Sequence, residues 1–156
     1  MKILITGGTS ATALKLLKAF SNAEVVFGDY GSVPGMKTDL YRFESLGEFN
    51  EDTLAHNLLN NCLNLGVDTI LPLRRDEIEA VAKSAVLFSE FDIHVLLPEA
   101  NEIQFFLSQE MVKTENWMIV KNGELLFSSN ADENVLPTVL CGAFYFNQSN
   151  FRLVTV

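Results

Sequence analysis

Residues 2–6 form a short apolar run, Lys-Ile-Leu-Ile-Thr, that stops at Gly7-Gly8. A run of that length closed by glycines reads as a strand buried on both faces, followed by a tight turn. Over residues 10–20 the period changes. Leu14, Leu17 and Phe20 recur at helical spacing, with Ala13 and Leu16 beside them. Val25, Val26 and Phe27 make a second buried strand over 24–28, with Asp29 at its carboxyl end. Gly31, Pro34 and Gly35 mark 29–38 as a loop, and 39–43 reads as a short third strand. Leu54, Leu58, Cys62 and Leu65 lie on one stripe of a helix over 50–65, with Gly66 as its stop. A strand over 68–73 and a helix over 76–89 follow. The apolar face of that helix holds Ile78, Val81, Ala82, Ala85 and Val86. A fifth strand over 92–97 ends at Pro98, and a further helix covers 99–110.

Strands alternating with helices predict an α/β fold with a Rossmann-like open parallel sheet and right-handed crossovers. A strand order of about 3-2-1-4-5 puts the ligand crevice beside strands 1 and 4. Beyond residue 114 the pattern becomes β-rich. The segments 117–121 and 124–128 flank Asn122-Gly123, a pair that tolerates the positive φ of a type I′ hairpin turn. Residues 129–134 read as polar loop, and 135–146 and 150–156 as strands. The expected organisation is a Rossmann-like domain over 1–114 and a β-rich tail over 115–156. The tail packs on that domain or mediates association, for example of two copies through strand edges.

Composition narrows the partners. The 156 residues are 48% hydrophobic and 20% charged, as in globular rather than disordered chains. No apolar stretch approaches the ~20 residues that span a bilayer, and the first residues lack a secretory core. The expectation is a cytoplasmic protein. The net charge of −9 disfavours nucleic acid and anionic membranes, while a local basic site remains open to a small anion. Cys62 and Cys141 fall on apolar faces and read as buried free thiols.

Gly7, Gly8, Thr9 and Ser10 sit between a strand and a helix, where backbone N–H groups can hold phosphate. Asp29 ends the second strand, where a carboxylate can accept from ribose hydroxyls. Measured against the dinucleotide pattern TGxxGxxG, the second glycine is Ser10 and the third Ala13. Ala13 still allows close helix–strand packing, but Ser10 adds a side chain where a pyrophosphate needs close backbone approach. NAD(P) or an ATP-derived ligand is a weak match, and a tight turn with a Thr or Ser N-cap is the simpler reading. Arg74 and Arg75 follow the fourth strand at the carboxyl edge of the sheet, where two guanidinium groups can clamp a carboxylate or phosphate. Glu77 stands beside them. The alternative is a solvated pair ahead of a capping box formed by Asp76 and Glu79. His94, inside an apolar strand, reads as structural. The chain has no zinc-ligand spacing, Walker loop or GxSxG elbow. No Tyr is followed four residues on by the Lys of short-chain dehydrogenases and epimerases.

The succession MKILITGGTS, EVVFGD, TDLYRF, GVDTILPLRRDEIEAVA and FDIHVLLPE resembles the N-terminal, pre-ATP-grasp domain of ATP-grasp ligases, most of all the carbamoyl-phosphate-synthase-like group. The likeness covers residues 1 to about 100, and its most specific parts are GVDTILPL..DEIE and Asp39–Tyr41. In that family the first domain packs against an ATP-grasp core and contributes to the substrate side. The resemblance therefore implies that Gly7–Ser10 and Arg74–Glu77 face a shared cleft. Only 46 residues follow Glu110, against the roughly 200 that a lid and core need. The expectation is a domain that is not catalytic alone, and that belongs to an ATP-dependent ligase if it is part of a larger enzyme. It would bind a small anionic ligand or a partner such as an ATP-grasp core. A degenerate NAD(P)-binding protein and a stand-alone interaction domain are the alternatives.

Overall fold

Lys2–Thr6 forms β1, Glu24–Asp29 β2, Tyr41–Ser45 β3, Thr69–Leu71 β4 and His94–Val95 β5. All pairings are parallel, in the order β3-β2-β1-β4-β5, in a computed structural model that describes residues 1–111, 116–130, 140–148 and 150–156. The expected α/β architecture and strand order are both present. β1 is central because its apolar run serves two faces. Leu4 joins the core beneath α2 (Leu54–Leu65) and α3 (Arg75–Lys83), while Ile3 and Ile5 join the core beneath α1 (Ala11–Leu16). Each is fully buried, and burial of such a side chain contributes about 1.5–3 kcal/mol.

Several boundaries move, each for a local reason. The third strand starts at Tyr41 rather than at 39. The Thr38 hydroxyl accepts from the N–H groups of Leu40 and Tyr41 and holds residues 39–40 in a bend. The helix expected over 10–20 is α-helical only to Leu16 and finishes as a 3-10 turn, Leu17–Phe20. The helix expected over 76–89 is two helices, α3 and α4 (Ala85–Glu90), because Ser84 leaves helical dihedrals (ψ 13°). That break turns Val86, expected on the apolar face, out to 74% exposure, and buries Phe88 instead. His94, expected inside an apolar strand, is exposed on the edge strand β5. The helix expected over 99–110 is α5, Ile103–Ser108.

Asn116–Lys121 (β6), Glu124–Ser128 (β7), Gly142–Phe146 (β8) and Phe151–Leu153 (β9) form a separate antiparallel sheet, ordered β7-β6-β8-β9. The hairpin turn has φ of 49° at Asn122 and 81° at Gly123, as the residue pair predicts. The strand expected from 135 is described only from Gly142, and the segment 131–139 lies outside the described residues. Alternation sends side chains of the two middle strands to opposite faces. Met118, Val120, Phe144 and Phe146 enter the core of α2 and α3, whereas Trp117, Ile119, Ala143 and Tyr145 enter the core of α1. Phe144 meets Phe106 of α5 edge to face at 5.2 Å. On the other side, Lys15 of α1 donates to the Tyr145 hydroxyl at 3.1 Å and lies over its ring. Both faces of this sheet are thus continuous with the cores of the parallel sheet. No helix among the described residues is long and apolar enough to cross a membrane.

Candidate functional site

Parallel strands deliver the ends of β1, β2 and β4 to one edge of the sheet. Thr6 to Ser10, Asp29 with Tyr30, and Leu73 to Glu77 therefore lie along the carboxyl edge, where open α/β sheets bind ligands. The edge gathers all the expected site residues but uses them differently.

The glycine turn is closed on itself. The Gly8 N–H donates to Gly28 O at 3.0 Å, the Thr9 N–H to Asp29 at 3.2 Å, and the Ser10 N–H to Gly7 O at 3.0 Å. The Ser10 hydroxyl caps α1 by accepting from the Ala13 N–H at 3.1 Å, so the N-cap reading of the turn is realised. Three successive amides that would cradle a phosphate are engaged within the chain. Gly8 is required by proximity: a Cβ there would stand 2.7 Å from the Phe27 Cβ and 2.8 Å from its carbonyl carbon. Gly7 has φ +60°, and a Cβ on it would meet the Val156 side chain at 2.6 Å. Val156 is held over the turn by its N–H, which donates to Leu73 O at 2.9 Å. Asp29 accepts from the Thr9 hydroxyl at 2.5 Å and from the Tyr30 N–H at 3.0 Å, so this carboxylate also serves the turn.

Glu77 points inward rather than along the cleft and is wholly buried. Its two oxygens accept from the Thr6 hydroxyl and, at 2.7 Å, from the Tyr30 hydroxyl. Thr6 in turn accepts from the Leu73 N–H at 3.0 Å. Burial pushes the Glu77 pKa up, against the opposing pull of the two hydroxyl donors and of Arg74. Tyr30 is also displaced upward, by burial and by the adjacent Glu77.

Arg74 and Arg75 occupy the start of α3. Arg74 is half-buried, lies 5.2 Å from the Tyr30 ring centre and 5.1 Å from that of Phe49, and reaches Asp76 at 3.5 Å. Burial works against its charge, but Asp76 and Glu77 outweigh it and hold its pKa above the ordinary value. Arg75 is exposed and makes no ion pair among the described residues. With Asp76, Glu79 and Val156 the two arginines line an open depression of about 590 Å³. The expected capping box does not form. The helix begins one residue early, at Arg75, Asp76 accepts from the Glu77 N–H, and Glu79 accepts from Gln104 at 2.7 Å.

Thr6, Tyr30, Phe49 and Val156 belong to this site although the sequence does not single them out. Tyr30 and Phe49 sit in polar, glycine-containing connections without periodicity, and the position of Val156 depends on the second sheet. Among the described residues no group of three metal-ligating side chains is suited to an ion. No protein-family model matches the chain, and comparison with curated proteins finds no match.

Proposed function

We propose that the chain is a non-catalytic, pre-ATP-grasp-like domain that binds a small anionic ligand at the carboxyl edge of its parallel sheet, with Arg74 and Arg75 as the cationic groups. The observation that carries this reading is the pair itself: two consecutive arginines at the start of α3, both lining an open depression, with Arg75 uncommitted to any ion pair among the described residues. Guanidinium groups pair bidentately with carboxylates and phosphates, and the start of a helix adds a favourable dipole. The family component rests on the likeness of the GVDTILPL..DEIE segment, which here runs through β4 into α3. A dinucleotide is disfavoured, because the turn amides and Asp29 are engaged within the chain and Val156 stands over Gly7.

Calorimetric titration with inorganic phosphate and with acetate tests the reading. Saturable binding that Arg74→Ala and Arg75→Ala each weaken is expected, with no ATP hydrolysis above a matched blank. Binding indifferent to both substitutions, or ATP turnover by the chain, overturns it.

A second reading, self-association, is favoured by β7. Among the described residues it is an edge strand of the antiparallel sheet, paired only with β6, and Leu125 on it is 37% exposed. A sedimentation mass that rises with concentration would support it, and a constant monomer mass would remove it.

A further inference from the structure

We infer that Tyr30 is the positioning residue for Arg74, and the inference rests on the anion-site reading above. A half-exposed arginine ordinarily samples many rotamers, and a ligand that uses it must bear the cost of ordering it. Here two rings restrict the side chain, beside its 3.5 Å contact with Asp76. Tyr30 and Phe49 stand 5.2 Å apart and nearly perpendicular, at 88°, and the Arg74 guanidinium lies against both. Three connections that are distant in sequence thus converge on one cation: the one after β2, the one after β3 and the one after β4.

Tyr30 is anchored in turn. Its hydroxyl donates to Glu77, whose carboxyl is buried and also takes the Thr6 hydroxyl from the end of β1. A chain of contacts therefore runs from the central strand through Thr6, Glu77 and the Tyr30 ring to Arg74. Arg75 has no such support: it is exposed and touches neither ring. Arg74 is the fixed point of the pair and Arg75 the adjustable one. A cation held against aromatic faces loses little freedom on binding, and a ligand at Arg74 exchanges its long 3.5 Å contact with Asp76 for a closer anion.

The test compares the full chain with Tyr30→Leu, Tyr30→Phe and Phe49→Leu. It follows phosphate affinity by calorimetry and the Arg74 Nε–Hε resonance by NMR, assigned with Arg74→Ala. Loss of the Tyr30 ring is expected to weaken phosphate binding about fivefold and to move the Arg74 resonance, while Tyr30→Phe, which keeps the ring but cuts its link to Glu77, is expected to fall between the parent and Tyr30→Leu. Phe49→Leu, at a partly exposed position, is expected to act in the same direction as Tyr30→Leu and serves if the latter fails to fold. Unchanged affinity in both leucine variants, or an Arg74 resonance that neither moves, overturns the inference. If the parent chain binds no phosphate or acetate, the anion-site reading fails. The positioning of Arg74 is then judged by its resonance alone, which must still move when a ring is removed.

Discussion

Thr9 and Asp29, twenty residues apart, are joined twice: the Thr9 hydroxyl donates to the Asp29 carboxylate at 2.5 Å and the Thr9 N–H donates to it at 3.2 Å. The contact ties the turn after β1 to the end of β2. It also takes up the carboxylate that, in a dinucleotide-binding sheet, faces the ribose. With the Gly8 and Ser10 amides likewise engaged, the glycine turn is a structural joint.

That joint depends on the absence of a side chain at Gly8. Any Cβ there meets the Phe27 backbone, which cannot withdraw without disturbing the β1–β2 ladder. Gly8→Ala is expected to destabilise the fold by about 1–3 kcal/mol, the usual range for overpacking. Chemical denaturation measures it, and a loss below about 0.5 kcal/mol would mean that the turn has room to shift.

The buried Glu77 makes stability depend on pH. Its folded pKa is raised above the unfolded value, chiefly by burial. The folded state therefore holds the Glu77 proton more tightly, and stability from this group is complete below the unfolded pKa and lost as pH rises through the folded one. Glu77→Gln, which cannot ionise, removes that loss. The stability of Glu77→Gln relative to the parent is expected to increase as pH rises from about 4.3. Urea unfolding at several pH values checks the slope, and a difference that shrinks with rising pH contradicts it.

The two sheets share both cores, so they are expected to unfold together. Trp117, the one tryptophan, stands in β6 of the antiparallel sheet and reports on it. Its fluorescence and the far-ultraviolet helical signal, to which the described helices contribute from the α/β part, are expected to give coincident transitions. Phe144→Ala is expected to lower both together by about 3–5 kcal/mol, because Phe144 is fully buried in the core shared with α2 and α3. Separate midpoints would show that 115–156 forms an independent unit.

The parts of this fold that the sequence made legible are those set by local pattern. The unbroken apolar runs around Ile3–Ile5 and Val25–Phe27 announced buried parallel strands, and Asn122-Gly123 announced the hairpin. The breaks at Ser84 and Thr38 were not legible, since each depends on one side chain or one pair of dihedrals inside a plausible pattern. Glu77 illustrates the limit at the site. An acidic residue in the first turn of a helix looks solvated, and only the convergence of Thr6 and Tyr30 accounts for its burial. Arg74 was visible as a cation at a sheet edge, but its aromatic supports were not, because nothing local links residues 30, 49 and 74.

On the proposed reading the anion binds at the start of α3 and not at the glycine turn. The most direct measurement is amide chemical-shift mapping with inorganic phosphate in one titration and NAD in another. The expected result is saturable shifts at Arg74, Arg75 and Asp76 with phosphate, and no saturable change at Gly7–Ser10 or Asp29 with NAD. Micromolar NAD binding that shifts Gly7–Ser10 and Asp29, with Arg74 and Arg75 unmoved by phosphate, would contradict it.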